Sequence, residues 1–205
     1  MLNNIMSRCD YLDFVELLHY ERDACRIRVA DDKTIPHLLE YLEEWDVHFG
    51  IGEKTFSTTD EYGAANGNIK TLAESEIYVA HDMFVVQETM EANRHRAQPD
   101  HIGKLFGYPQ CCINAMCDTL KQNASLHPDF PLLTSAISKA QGKHMHKIMT
   151  PNMDKCILSF FPCAFDCTRA TAKALWRTEH TKTKYGWNWW WPEPTVFAGV
   201  HFDVA

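Results

Sequence analysis

Two short segments of this chain place cysteines directly after a proline, where a helix is expected to begin. The first, FGYPQCCINAMC, carries Cys111 and Cys112, and the second, FFPCAFDC, carries Cys163 and Cys167. Proline suits the first turn of a helix, since its missing N–H would have no partner there anyway. A thiol in that turn lies near free backbone N–H groups and the positive end of the helix dipole, which favour the thiolate. Two such helix starts facing each other would form a four-thiolate site.

The spacing of these cysteines limits the kind of site. Cys163 and Cys167 are predicted to share one helix face, because residues four apart lie one turn apart. Cys111 and Cys112 are about 100° apart around a helix axis, so which of them points into the site is left open. The spacing is not that of a zinc ribbon or of a bacterial ferredoxin.

Three kinds of chemistry suit these thiols. Four thiolates suit an iron–sulfur cluster or zinc. The cluster is slightly favoured, because 45% of the residues are hydrophobic and a chain with such a core does not need a zinc staple. The third alternative is a metal-free thiol, acting as a nucleophile or as a redox pair. The other four cysteines, Cys9, Cys25, Cys117 and Cys156, are predicted to be buried core residues.

Three residues outside the cysteine segments are candidates for proton transfer. His81 follows a predicted strand, Glu88 lies on the helix after it, and His101 precedes the first cysteine segment by ten residues. If only three cysteines bind the metal, the open position could act as a Lewis acid on a small-molecule substrate. Such a protein would be an enzyme of the lyase or transferase type, with these groups as acids or bases. A solvated histidine or charged helix face is the simpler alternative for each of them.

A basic stripe offers a different function. Arg169, Lys173 and Arg177 are four residues apart on a predicted helix, and Trp189 belongs to a tryptophan-rich stretch that follows. Basic side chains beside exposed aromatic rings can bind phosphates and stack bases. The alternative function is therefore a zinc-stabilised module that binds nucleic acid or nucleotides. The formal charge of −7 argues against nucleic-acid or membrane binding by bulk charge.

The number of cysteines and the N-terminal residues predict the cellular location of the protein. Eight cysteines occur in a chain whose N-terminus has no basic region followed by an apolar one, so no secretory signal is indicated. Free clustered thiols are typical of a reducing compartment, which predicts a cytoplasmic protein. No apolar run reaches the length of a membrane-spanning helix. The oligomeric state is left open.

The hydrophobic pattern predicts an α+β fold, with a small mixed or antiparallel sheet and helices clustered around the cysteine site. We expect a single domain over 1–205, with an N-terminal α+β part over about 1–80, a cysteine-bearing helical part over about 81–180 and an aromatic tail over 185–205. Helices are predicted over 10–21, 34–45, 82–96, 100–105, 109–122, 132–140 and from 162 to about 178. Strands are predicted over 25–29, 46–50, 76–80, 156–161 and 195–204.

The two cysteine segments together resemble a family of uncharacterised prokaryotic proteins, a domain of unknown function that carries a GYPxCC motif followed by a PCxxxC motif. The resemblance covers roughly residues 88–174. It implies that the two segments form one site, and it implies no reaction. The residues that carry it are Gly103, Gly107, Tyr108, Pro109, Cys111, Cys112, Pro162, Cys163, Asp166 and Cys167.

Overall fold

The structure, a computed structural model, describes part of the 205-residue chain: residues 6, 8–29, 31–57, 72–95, 99–122, 138, 140–143, 158–160, 162–185, 196–197 and 200–201. The chain divides into two compact units. The first unit consists of residues 1–60 and 65–108, and the second of residues 61–64 and 109–205. The single domain expected from the sequence stays a prediction.

A three-stranded antiparallel sheet forms the centre of the first unit. Its strands are β1 (Ala24–Val29), β2 (His48–Ser57) and β3 (Leu72–Ala80), in the order β1-β3-β2. Strands β2 and β3 extend beyond the predicted 46–50 and 76–80. They pair as far as Ser57 and Leu72, across a register irregularity between Ile51 and Lys54. The antiparallel sheet confirms the predicted α+β class.

Helices surround this sheet. They are α1 (Arg8–Leu18), α2 (Ile35–Glu43), α3 (Met83–His95) and α4 (Pro99–Leu105), with a 3-10 turn at Asp32–Thr34 before α2. Phe14 of α1 joins α2, since its ring centre lies 6.1 Å from that of Tyr41. The largest aliphatic side chains that are fully buried in this unit are Leu12, Leu17, Ile27, Leu38, Leu42 and Ile77.

The contacts of α3 and α4 with the sheet form a second cluster, built from Ala24, Tyr78, Ala80, Val86, Leu105 and Phe106. Gly50 of β2 allows α3 to approach closely, because a Cβ there would lie 2.5 Å from the Met90 sulfur. The helix therefore lies against the strand where the strand has no side chain.

Both α1 and α4 end in a Schellman motif. At the end of α4, the N–H of Gly107 donates to Lys104 and that of Tyr108 to Gly103, with Gly107 at φ +64°. Glycine adopts this left-handed conformation without the penalty of a Cβ. At the end of α1 the corresponding residue is Tyr20, at φ +58°. The glycine of the GYPxCC segment therefore terminates a helix.

The second unit contains α5 (Gln110–Gln122), α6 (Thr168–Tyr185) and a pair of short antiparallel strands, β4 (Val196–Phe197) and β5 (Val200–His201). The single strand predicted over 195–204 is therefore wrong, since its described residues form two paired strands. The predicted strand over 156–161 and helix over 132–140 lie mostly outside the described residues. Within the described parts of the chain, no helix has the length and apolar character needed to cross a membrane.

Candidate metal centre

The structure brings the four predicted cysteines together in the second unit. Their sulfur atoms all lie within 4.8 Å of one another, so they could hold a metal ion. Three of them form a nearly equilateral triangle. The Cys111 sulfur lies 3.7 Å from that of Cys167 and 3.9 Å from that of Cys112, and the Cys112 and Cys167 sulfurs are 3.8 Å apart. Cys163 completes the set.

The first turn of α5 provides Cys111 and Cys112. The carbonyl of Pro109 accepts the N–H groups of Cys112 and Ile113, so Pro109 is the N-cap and both cysteines lie in the first turn. The sequence left open which of them points into the site, and the sulfur distances show that both do. Cys112 is 3% exposed, within a cluster that includes Leu158, Phe165, Ala170 and Ala174. Cys111 is half-buried at its margin.

Cys163 and Cys167 lie in the turn before α6 and not on a helix face, so the predicted helix start at Pro162 is wrong. Helix α6 begins only at Thr168. In the preceding turn, the N–H of Phe165 donates to the Ser138 hydroxyl, and the Phe165 ring is buried. Because of this turn, both thiols of the segment can approach α5.

Cys167 is the N-cap of α6. Its carbonyl accepts the N–H of Thr171, and its own N–H donates to Ala164. Burial alone would raise the pKa of Cys167, but the backbone N–H of Ala170 and the thiols of Cys163, Cys111 and Cys112 hydrogen-bond to its sulfur and lower that pKa below its usual value. The thiolate that the sequence predicts at a helix start is therefore favoured at Cys167, the N-cap, but not at Cys112, which lies in the first turn of α5 and has a raised pKa.

Two neighbouring thiols, Cys112 and Cys163, behave in the opposite way. Burial raises the pKa of Cys112, although its sulfur accepts the backbone N–H of Cys163. Burial and the adjacent Cys167 raise the pKa of Cys163 to about 12. Without a cation, Cys112 and Cys163 therefore keep their protons, and Cys167 is the thiol that ionises most easily of these three. A bound metal ion would replace those protons and allow all four sulfurs to ionise.

The predicted proton-transfer residues all belong to the first unit. His101 Nε2 lies 2.9 Å from Glu88 Oε1, so the structure pairs two candidates that the sequence left separate. His81 Nε2 is 2.8 Å from the Leu17 carbonyl, and its ring stacks on Tyr20 at a centroid distance of 4.3 Å. A catalytic role for His81, Glu88 or His101 stays a prediction.

The basic stripe on α6 is only partly exposed. Arg169 is exposed and Lys173 is half-buried. Arg177 is 0% exposed, and its guanidinium lies 3.5 Å from the Ser159 hydroxyl. Arg177 therefore does not lie on a solvent-facing stripe, which corrects that part of the expectation. Trp189 lies outside the described residues, and nucleic-acid binding stays a prediction.

Two groups of polar residues escaped the sequence analysis. Lys143 forms an ion pair with Asp166, between Cys163 and Cys167 in sequence, at 3.1 Å. In the first unit, the buried Arg22 lies 2.6 Å from Glu16 and 2.9 Å from Asp13. A sequence signal for the second group did exist: acids recur three residues apart on the apolar helix α1. Charged residues buried at this spacing require a cation nearby.

Comparison with known sequences identifies the family. Residues 65–186, more than half of the chain, match the sequence model of a family described as "Protein of unknown function (DUF483)". The matched range contains both cysteine segments and the whole of α5. No curated protein and no solved structure matches the chain significantly. The family match confirms the predicted relationship to an uncharacterised domain family, and the chain belongs to the DUF483 family of proteins of unknown function.

Proposed function

We propose that this protein is a zinc protein in which Cys111, Cys112, Cys163 and Cys167 bind one tetrahedral ion. The observation that carries the proposal is the distance between the sulfurs. A zinc–thiolate bond of about 2.3 Å at tetrahedral angles places neighbouring sulfurs about 3.8 Å apart. The three distances in the triangle are 3.7, 3.8 and 3.9 Å. Three of the four thiols therefore already have the spacing that a single ion requires, and the Cys163 sulfur lies within 4.8 Å of them.

The distances between the sulfurs also distinguish a single-ion site from an iron–sulfur cluster, which the sequence slightly favoured. The four cysteines bind four iron atoms in a [4Fe–4S] cluster and are divided between two in a [2Fe–2S] cluster, and sulfide links these iron atoms. Cysteine sulfurs bound to different iron atoms therefore stand further apart than the ligands of one ion. All four sulfurs here lie within 4.8 Å of one another, which supports one ion at their centre.

Backbone donors also support a doubly negative four-thiolate site. The backbone N–H of Ala170 points to the Cys167 sulfur and that of Cys163 to the Cys112 sulfur. Such hydrogen bonds to the ligand sulfurs orient the ligands and reduce the negative charge on them. A site with four protein ligands has no open position and is structural in most zinc proteins. The ion would join the start of α5 to the turn before α6, about 50 residues later in the chain.

The partial exposure of Cys111 and Cys163 favours a second candidate, a metal-dependent enzyme. In that case one of these two thiolates would leave the ion, and a small-molecule substrate would take the fourth position. Cobalt(II) substitution distinguishes the candidates, because the intensity of the thiolate-to-metal absorption follows the number of bound thiolates. A spectrum typical of four thiolates supports the structural site, and one typical of three thiolates with a water supports the enzyme.

The decisive experiment is metal and acid-labile sulfide analysis of the full chain, purified without oxygen from metal-replete medium. We expect colourless protein with one zinc per chain and no sulfide. Cys112→Ser and Cys167→Ser should lose the ion, whereas Cys117→Ser, a half-buried thiol of the same helix outside the site, should keep it. Iron with an equal amount of sulfide would refute the single ion in favour of a cluster. Folded protein without any metal would refute both.

A further inference from the structure

We propose that the cysteine site is also a site of reversible oxidation, at which a peroxide joins Cys111 to Cys167 in a disulfide and thereby expels the metal ion. This inference rests on the proposed function, since it assumes a metal ion held by the four thiolates. It adds a modification that metal binding alone does not imply. Three features of the described site carry it: the sulfur distances, the exposure of the thiols and the backbone positions of the cysteines.

The backbone decides which pair of sulfurs can bond. Cys111 and Cys112 are neighbours, so their Cα atoms are about 3.8 Å apart across a trans peptide. Disulfides normally require Cα atoms about 4.4–6.8 Å apart, which disfavours a bond between these neighbours. Cys167 belongs to a different segment, and its sulfur is 3.7 Å from that of Cys111, the shortest distance in the triangle. A disulfide there needs the sulfurs to approach by less than about 2 Å.

Exposure decides which thiol reacts first. Cys112 and Cys167 are buried, at 3% and 8% exposed, whereas Cys111 and Cys163 are half-buried and open to a small oxidant. Of these two, Cys111 has the sulfur that lies 3.7 Å from that of Cys167, on a different segment of the chain. Cysteine oxidation follows thiolate character and access. Metal binding keeps Cys111 as a thiolate, and its position at the margin of the cluster gives a peroxide access. The Cys167 sulfur then lies 3.7 Å away, outside the same dipeptide.

The reaction balances with the peroxide as the only oxidant. The Cys111 thiolate attacks one peroxide oxygen and breaks the O–O bond, which gives a sulfenic acid and releases hydroxide. The Cys167 thiolate then attacks the sulfenic sulfur, forms the S–S bond and expels a second hydroxide. The two sulfurs lose two electrons in total, and the two hydroxides take up two protons to become water.

The consequence is an exchange of one cross-link for another. Oxidation removes two of the four ligands, and Cys112 and Cys163 alone cannot complete a tetrahedral thiolate site. The ion is lost, but the new disulfide still links the first turn of α5 to the N-cap of α6. A thiol reductant reverses the change, after which the site can bind its ion again. The metal content of the second unit would then follow the redox state of its surroundings.

The test uses the zinc-loaded full chain and stepwise addition of hydrogen peroxide. A chromogenic chelator measures released zinc, a thiol reagent counts free cysteines, and peptide mapping without reduction identifies the disulfide. We expect one zinc released and two thiols lost for each peroxide consumed, with Cys111 linked to Cys167. Dithiothreitol and zinc should restore the starting metal content. Cys117→Ser should behave as the unmodified chain does.

A matched pair of variants tests the assignment of the two sulfurs. Cys163→Ser and Cys111→Ser each remove one half-buried ligand, but only Cys163→Ser should still form the Cys111–Cys167 disulfide. A disulfide between other cysteines of the unmodified chain would overturn the inference, and so would zinc that stays bound to that chain in excess peroxide. Both results can be read even if neither variant binds zinc. Chain that carries no zinc before peroxide is added would instead refute the proposed function, so the two failures are distinguishable.

Discussion

The glycine that ends α4 provides a sharp test of how the first unit is built. We expect Gly107→Ala to lower the free energy of unfolding of this unit by about 2–5 kcal/mol. Gly107 has φ +64°, and its position faces the turn that follows α1. An added methyl group therefore meets two separate penalties, one from the backbone conformation and one from the neighbouring atoms.

The two penalties can be assigned from the structure. The left-handed conformation costs an L-residue about 1–2 kcal/mol. The new Cβ would also lie 2.8 Å from the Glu21 carbonyl oxygen and 2.8 Å from the Arg22 Cβ. The first atom belongs to the backbone and the second is bonded directly to it. Because the Schellman motif of α1 holds this backbone, neither atom can move aside as the end of a flexible side chain would. Overpacking of this kind costs about 1–3 kcal/mol.

Gly142→Ala is the matched control, because Gly142 has a similar φ of +68° and no atom lies within 4 Å of its would-be Cβ. It should lose only the conformational part, about 1–2 kcal/mol. Urea unfolding followed by circular dichroism gives the overall loss. Hydrogen exchange of the peptides of each unit assigns that loss to the unit that carries the substitution. If Gly107→Ala costs no more than Gly142→Ala, the proposed clash with the turn after α1 is wrong.

Three further predictions concern protons, strain and a buried ion pair. Zinc binding to the metal-free chain at pH 7 should release a proton from each of Cys112 and Cys163, whose pKa values are raised by burial. The affinity for zinc should therefore rise with pH. Calorimetry in buffers of different ionisation enthalpy counts the released protons, and a count of zero would contradict the prediction. Tyr20→Gly should be more stable than Tyr20→Ala by about 1–2 kcal/mol in urea unfolding, because only alanine keeps the left-handed strain; equal stabilities would argue against strain. Arg22→Met should cost about 3–5 kcal/mol by the same assay, because it removes a cation 2.6 Å from the buried Glu16 carboxylate; a loss below about 1 kcal/mol would argue against a strong pair.

The cysteine site was predictable from the sequence because its signal is chemical and local. Two proline–cysteine segments indicated four thiols at one place, and the structure brings those four sulfurs within 4.8 Å. What the sequence could not give was the backbone of the second segment. The turn before α6 depends on Ser138, which is 27 residues away from its partner Phe165. No local pattern contains such a contact, so helical spacing was assumed for Cys163 and Cys167.

The lengths of the strands were missed for a related reason. Gly50 and Gly52, followed by charged residues, interrupt the apolar alternation of β2, so the pattern predicted a strand that stops early. Tertiary contacts supply what the pattern lacks. A Cβ at Gly52 would lie 2.7 Å from the Tyr78 ring, so this glycine makes room for a large side chain of the neighbouring strand. Strand preference depends on such neighbours more than on the residues themselves.

The GYPxCC segment combines two structural tasks with one chemical task. Gly107 ends α4 through its left-handed conformation, and the Pro109 carbonyl begins α5 by accepting two N–H groups. Only Cys111 and Cys112 would supply ligand atoms to the proposed ion, and their position in the first turn follows directly from where Pro109 caps the helix. The division into two units falls between Tyr108 and Pro109, so the glycine contributes to the first unit and the thiols to the second. A motif that looks like a single metal-binding signature therefore also encodes a helix stop, and substitutions within it should separate into losses of stability and losses of metal.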